Sequence, residues 1–89
     1  MILHTVNKPP SHAALSDCLA VMASDDLMLL IEDGVYCLHE VSGDSRVHVL
    51  TPDLEARGFW DRLPAELTAV DYAGFVGLCT RVDKIKTWA

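Results

Sequence analysis

Three cysteines, Cys18, Cys37 and Cys79, and four histidines, His4, His12, His39 and His48, are the residues of this 89-residue chain best suited to chemistry. Their spacing argues against a metal. No CxxC or HxxxH pair occurs, and the nearest mixed pair, Cys37 and His39, projects to different sides of a helix. A nucleotide site is not expected either, because the turn after the first apolar run is Asn7-Lys8-Pro9-Pro10, and prolines lack the N–H groups that cradle a phosphate. There is no Ser-His-Asp signature. Thiol chemistry remains.

The three thiols differ in their local setting. Cys18 falls in the apolar stripe of a helix, beside Asp17 and beyond the field of the helix start, which describes an inert buried thiol. Cys37 follows Gly34 by three residues, in what reads as the first turn of a second helix, where exposed amide dipoles would lower a thiol pKa. On placement alone Cys37 is the better nucleophile. Cys79 shares a stripe with Phe75 and Val76 and reads as core.

These residues hang on an alternation of strands and helices. The run Leu27-Met28-Leu29-Leu30-Ile31 has no polar residue between its apolar ones, which describes a strand buried on both faces, ended abruptly by Glu32-Asp33-Gly34. Ligands and partners of parallel sheets meet the carboxyl ends of the strands, so that rim is an expected working surface. Ile2 to Val6 is a first strand, stopped by Pro9-Pro10. Ser11 is the expected cap of a helix from His12 to Ala23, with Leu15, Cys18, Leu19 and Met22 facing inward. A short second helix is expected from Val35 to Val41, then a loop through Ser42-Gly43-Asp44-Ser45.

Val47 to Leu50 forms a third strand, and Thr51-Pro52 starts a helix that Gly58 closes. Leu67 to Val70 is a fourth strand, and Asp71 caps a helix whose expected buried stripe is Tyr72, Phe75, Val76 and Cys79. Lys84 to Trp88 reads as an edge strand guarded by lysines. The order β-α-β-α-β-α-β-α-β predicts a single α/β domain over residues 1–89: about five strands in a small, mostly parallel sheet with helices on both faces.

Composition narrows the class. A net charge of -6 argues against direct binding of a nucleic-acid backbone, which needs clustered Lys and Arg. The start, Met1 to Lys8, lacks the basic and apolar regions of a secretory signal, and no apolar run is long enough to span a membrane. An odd, small number of cysteines reads as reduced thiols in a cytoplasmic protein. With 51% hydrophobic residues in so short a chain, oligomerisation is expected, as a homo-oligomer if the chain acts alone.

His4-Thr5-Val6-Asn7-Lys8-Pro9, Leu30-Ile31-Glu32-Asp33-Gly34-Val35-Tyr36, Pro52-Asp53-Leu54-Glu55-Ala56-Arg57-Gly58-Phe59, Val70-Asp71-Tyr72-Ala73-Gly74-Phe75-Val76 and Trp88, in that order and spacing, resemble the DsrH/TusB family of sulfur-relay proteins. The resemblance covers nearly the whole chain and implies a three-layer, DsrE-like α/β/α fold. It further implies a subunit of a heterohexamer with DsrE/TusD-like and DsrF/TusC-like chains. Such an assembly passes persulfide sulfur to a downstream acceptor protein, for 2-thiolation of the tRNA wobble uridine or for dissimilatory sulfur oxidation, with no metal or organic cofactor.

Under the resemblance Cys18 stands where the sulfur-oxidising branch carries its cysteine, while Cys37 and Cys79 have no family role. Two functions follow: a sulfur carrier using Cys18, with Cys37 as the local alternative, or a non-catalytic subunit whose partner chain holds the reactive cysteine. The connection from Val41 to Arg46 is shorter than is usual in the family.

Overall fold

A computed structural model describes all 89 residues. The strands are β1 (Ile2–Val6), β2 (Leu27–Leu30), β3 (Val47–Leu50), β4 (Thr68–Val70) and β5 (Lys84–Trp88). Between them run α1 (Ala14–Val21), a 3-10 helix (Glu32–Cys37), α2 (Thr51–Ala56) and α3 (Tyr72–Arg81). The five strands pair in the order β4-β3-β2-β1-β5, and every pairing is parallel.

That order explains the layers. The first three crossovers step in one direction, so α1, the 3-10 helix and α2 share one face of the sheet, where Ala14, Leu15, Cys18, Val35, Cys37 and Leu54 pack on Val6, Met28, Leu30, Val47 and Val49. The last crossover returns past the whole sheet to the far side of β1, which puts α3 on the opposite face. There Leu78, Phe75 and Cys79 pack on Leu3, Leu27, Leu29 and Leu50. The result is the expected α/β/α sandwich. β2 is its centre, with Leu27 to Leu30 all buried, and Leu3↔Leu27 through Val6↔Leu30 set its register on β1.

Several local expectations are corrected. Ser11 does not cap α1; the helix begins at Ala14, no side chain caps position 13, and the His12 ring Nδ1 instead accepts the Ala14 N–H at 3.0 Å. A helix of eight residues presents only a narrow stripe, so Cys18 is buried while Leu19 is 39% exposed. In α3 the inward residues are Phe75, Leu78 and Cys79, and Tyr72 and Val76 face solvent at 61% and 62%. Asp71 does cap this helix, its Oδ1 accepting the Gly74 N–H at 2.8 Å.

The predicted helix from Val35 to Val41 is replaced by the 3-10 helix Glu32–Cys37, which starts three residues earlier and gives way to turns. The reason is a close approach at the end of β2. The Val6 carbonyl accepts the Ile31 N–H at 3.0 Å, and the chain then turns so sharply that Gly34 lies against that same carbonyl. Glu32 takes up the turn with φ 49, a left-handed conformation, and its N–H is held by the Asp53 carboxylate at 2.7 Å.

Candidate functional site

Cys18 and Cys37 lie on the same side of the sheet, in one core cluster, and both are fully buried. Burial pushes the Cys18 thiol up to about 11; the Asp26 charge adds to the rise and Arg46 opposes it. Burial, with Glu40 adding, likewise pushes Cys37 up to about 11. Near pH 7 both groups therefore stand as protonated thiols.

The expectation of an activated Cys37 is thereby corrected. It ends the 3-10 helix instead of starting a helix, so the amide dipoles do not serve it, and its thiol points to the Lys8 carbonyl at 3.5 Å. Cys79 is half-buried on the opposite face, apart from the other two. No three His, Cys, Asp or Glu side chains converge as they would around a metal ion. In the native chain, a maleimide or iodoacetamide reagent should modify Cys79 well before Cys18 and Cys37, as read by mass spectrometry of partially labelled protein. Modification of Cys18 first would contradict its burial.

The rim beyond β2 is built as a brace. Asp33 Oδ1 accepts from Arg57 Nη2 at 3.0 Å and from Nε at 3.2 Å, while Asp53 holds the Glu32 N–H. These carboxylates tie the 3-10 helix to α2 and are committed to that contact. An open groove of about 570 Å³ lies at the other end of the sheet, where Leu19 and Ser24 face Glu40, Ser42 and Arg46. Arg46 is held there by Asp44 at 2.7 Å and by the Ala23 carbonyl at 3.0 Å. No thiol lines the groove.

The tightest polar constellation is one that reading the sequence missed. Asp26, buried just before β2, accepts the Ile2 N–H at 2.9 Å, the Ala23 N–H at 3.0 Å and His4 Nε2 at 2.9 Å. On the far side of the imidazole, Trp88 Nε1–H donates to His4 Nδ1 at 3.0 Å, and the two rings stack at 6.2 Å. Three donors hold the Asp26 carboxyl down at about 2, the His4 hydrogen bond contributing most. A signal was present in the strand alternation. His4 and Val6 share a face, and parallel pairing brings the residue before β2 beside the start of β1.

Comparison with known proteins places the chain as a whole. The family described as DsrH like protein matches residues 8–85. Protein TusB of Pectobacterium parmentieri is 30% identical over 97 aligned residues, covering 98% of this chain and 100% of that protein. Protein TusB of Erwinia tasmaniensis is 32% identical over 95, with the same coverage. The solution NMR structure of protein Tm0979 from Thermotoga maritima superposes with a TM-score of 0.73 over 91% of this chain and 93% of that one. At 23% identity that likeness speaks to the fold. A family match from Lys8 to Ile85 and full-length relatives at this identity lead to one conclusion: the chain belongs to the DsrH family.

Proposed function

We propose that this chain is a cytoplasmic subunit of a sulfur-relay assembly serving 2-thiolation of the tRNA wobble uridine, standing beside DsrE/TusD-like and DsrF/TusC-like chains, with the sulfur carried on a partner's cysteine. Membership of the DsrH family, with TusB proteins among the full-length relatives, carries the reading. Burial of Cys18 and Cys37 supports placing the persulfide elsewhere, because a relay thiol must reach a donor and ionise.

The transfer itself is thiol exchange. An acceptor thiolate attacks the terminal sulfur of a donor persulfide, one S–S bond forms as the other breaks, and the donor leaves as a thiolate, with no net oxidation. The role of this chain is then to complete the docking surface that shields the persulfide from water and oxidants. None of its helices is long and apolar enough to cross a membrane.

A second reading, in which Cys18 itself carries the sulfur, draws on one observation: α1 is short, and Leu19, next to Cys18, already lines the groove that Arg46 borders. One reconstitution separates the two. With sister chains and a persulfide donor, Cys18→Ser should leave sulfur delivery by the folded assembly within about twofold of the parent if the chain is structural, because no sulfur is then needed at position 18; the buried hydroxyl costs about 1–3 kcal/mol of stability instead. Omission of the chain should abolish delivery. Loss of delivery in Cys18→Ser, with a one-sulfur mass increase mapping to Cys18 in the parent, would establish the second reading.

A further inference from the structure

The Trp88, His4 and Asp26 constellation has a defined protonation state. An indole N–H can only donate, so the His4 Nδ1 that it faces at 3.0 Å carries a lone pair. The proton of this neutral ring is on Nε2, donated to Asp26 at 2.9 Å. The ring is 2% exposed and couples residues 84 positions apart.

We propose that His4 is a proton-operated latch on β5: neutral, it holds Trp88 against the sheet, and a second proton taken up at Nδ1 expels the indole while leaving the imidazole bound to Asp26. The step adds a solvent proton to the Nδ1 lone pair. The ring then donates from both nitrogens, so the Trp88 contact becomes donor against donor, whereas the Nε2–H bond to Asp26 becomes an ion pair.

The surroundings make the release local. Lys84, Ile85, Lys86 and Thr87 are exposed, and β5 is an edge strand that pairs only with β1. Apart from that ladder, its side-chain hydrogen bonds are Thr5 to Thr87 at 3.2 Å and Trp88 to His4, and the half-buried indole also packs on the core that α1 covers, a contact the release must give up. Of the charged groups around the ring, Asp26 attracts the second proton. Lys86, beside His4 in the β1–β5 register with Nζ 4.7 Å from the Trp88 ring centre, opposes it. Arg46, on the β3 side, acts on Asp26, and α1 contributes the neutral Cys18. Asp26, titrating at about 2, stays charged throughout the range in which histidines titrate, roughly pH 5–8.

The test uses the whole chain carrying Trp60→Phe, which removes the 67% exposed tryptophan and leaves Trp88 as the only reporter. Between pH 8 and 5, emission and the indole N–H resonance should pass from docked to solvent-exposed in a one-proton transition. In the same sample, ring nitrogen shifts of His4 should show Nδ1 gaining its proton at the same midpoint. Adding His4→Gln, whose amide offers N–H to Asp26 and oxygen to Trp88 without titrating, should keep Trp88 docked to pH 5. Three results would overturn the proposal: a docked signal unchanged across the range, a doubly protonated His4 with Trp88 still docked, or the same transition in the glutamine variant. The ring shifts alone decide the matter if that variant does not fold.

Discussion

Gly34→Ala is expected to lower the unfolding free energy by about 3 kcal/mol, the upper part of the range for overpacking a filled site. A Cβ at Gly34 would stand 1.9 Å from the Val6 carbonyl oxygen and 2.8 Å from its carbon, both backbone atoms. Neither can move aside cheaply. The same oxygen accepts the Ile31 N–H at 3.0 Å, so relief by shifting β1 loses the bond that ties it to the end of β2. For a domain of this size that is a large share of total stability, on the order of 5–15 kcal/mol. Gly77→Ala is the control. It lies in the interior of α3 with nothing within 4 Å of its would-be Cβ, and should stabilise by about 0.5–1 kcal/mol. Denaturant midpoints measure both, and an unchanged midpoint for Gly34→Ala would show that the chain does not turn as described.

The second large effect is at Asp26. Asp26→Asn should cost about 2 kcal/mol at pH 7, because it removes a charge that accepts three hydrogen bonds and turns an amide N–H toward either His4 Nε2–H or a backbone donor. Its pH dependence identifies the cause. The folded-state value, about 2, lies below the ordinary 3.8, so the unfolded chain takes up the proton first as pH falls. The stabilisation is therefore fully present above about pH 4 and fades as pH drops towards 2. Unfolding free energies measured from pH 5 to 2 should converge for the parent and Asp26→Asn. A gap that stays constant through that window would assign the cost to packing instead of charge.

The shifted boundaries share one cause. Ser11 is a good cap by type, but the His12 ring reaches the Ala14 N–H and the helix begins later. Tyr72 and Val76 have helical spacing with Phe75, yet a single helix on that face needs only the stripe from Phe75 through Leu78 and Cys79 to cover Leu3, Leu29 and Leu50. Spacing says which residues share a helix face. How wide a stripe the sheet can cover is a property of the neighbouring strands.

What the sequence determined by itself was the sandwich and its family. The unbroken apolar run of β2, the proline stop after β1 and the Asp71 cap are local signals, each acting within a few residues, and their order compels parallel crossovers. What only the tertiary structure decided was the state of the groups that could do chemistry. Whether Cys37 meets helix dipoles or a dry core depends on how closely Gly34 approaches Val6, and Cys18 is raised by burial and by Asp26, outside its own helix. The His4 tautomer depends on a tryptophan near the far end of the chain. A thiol or an imidazole takes its proton affinity from whatever surrounds it in space, and these surroundings exist only once the five strands lie side by side.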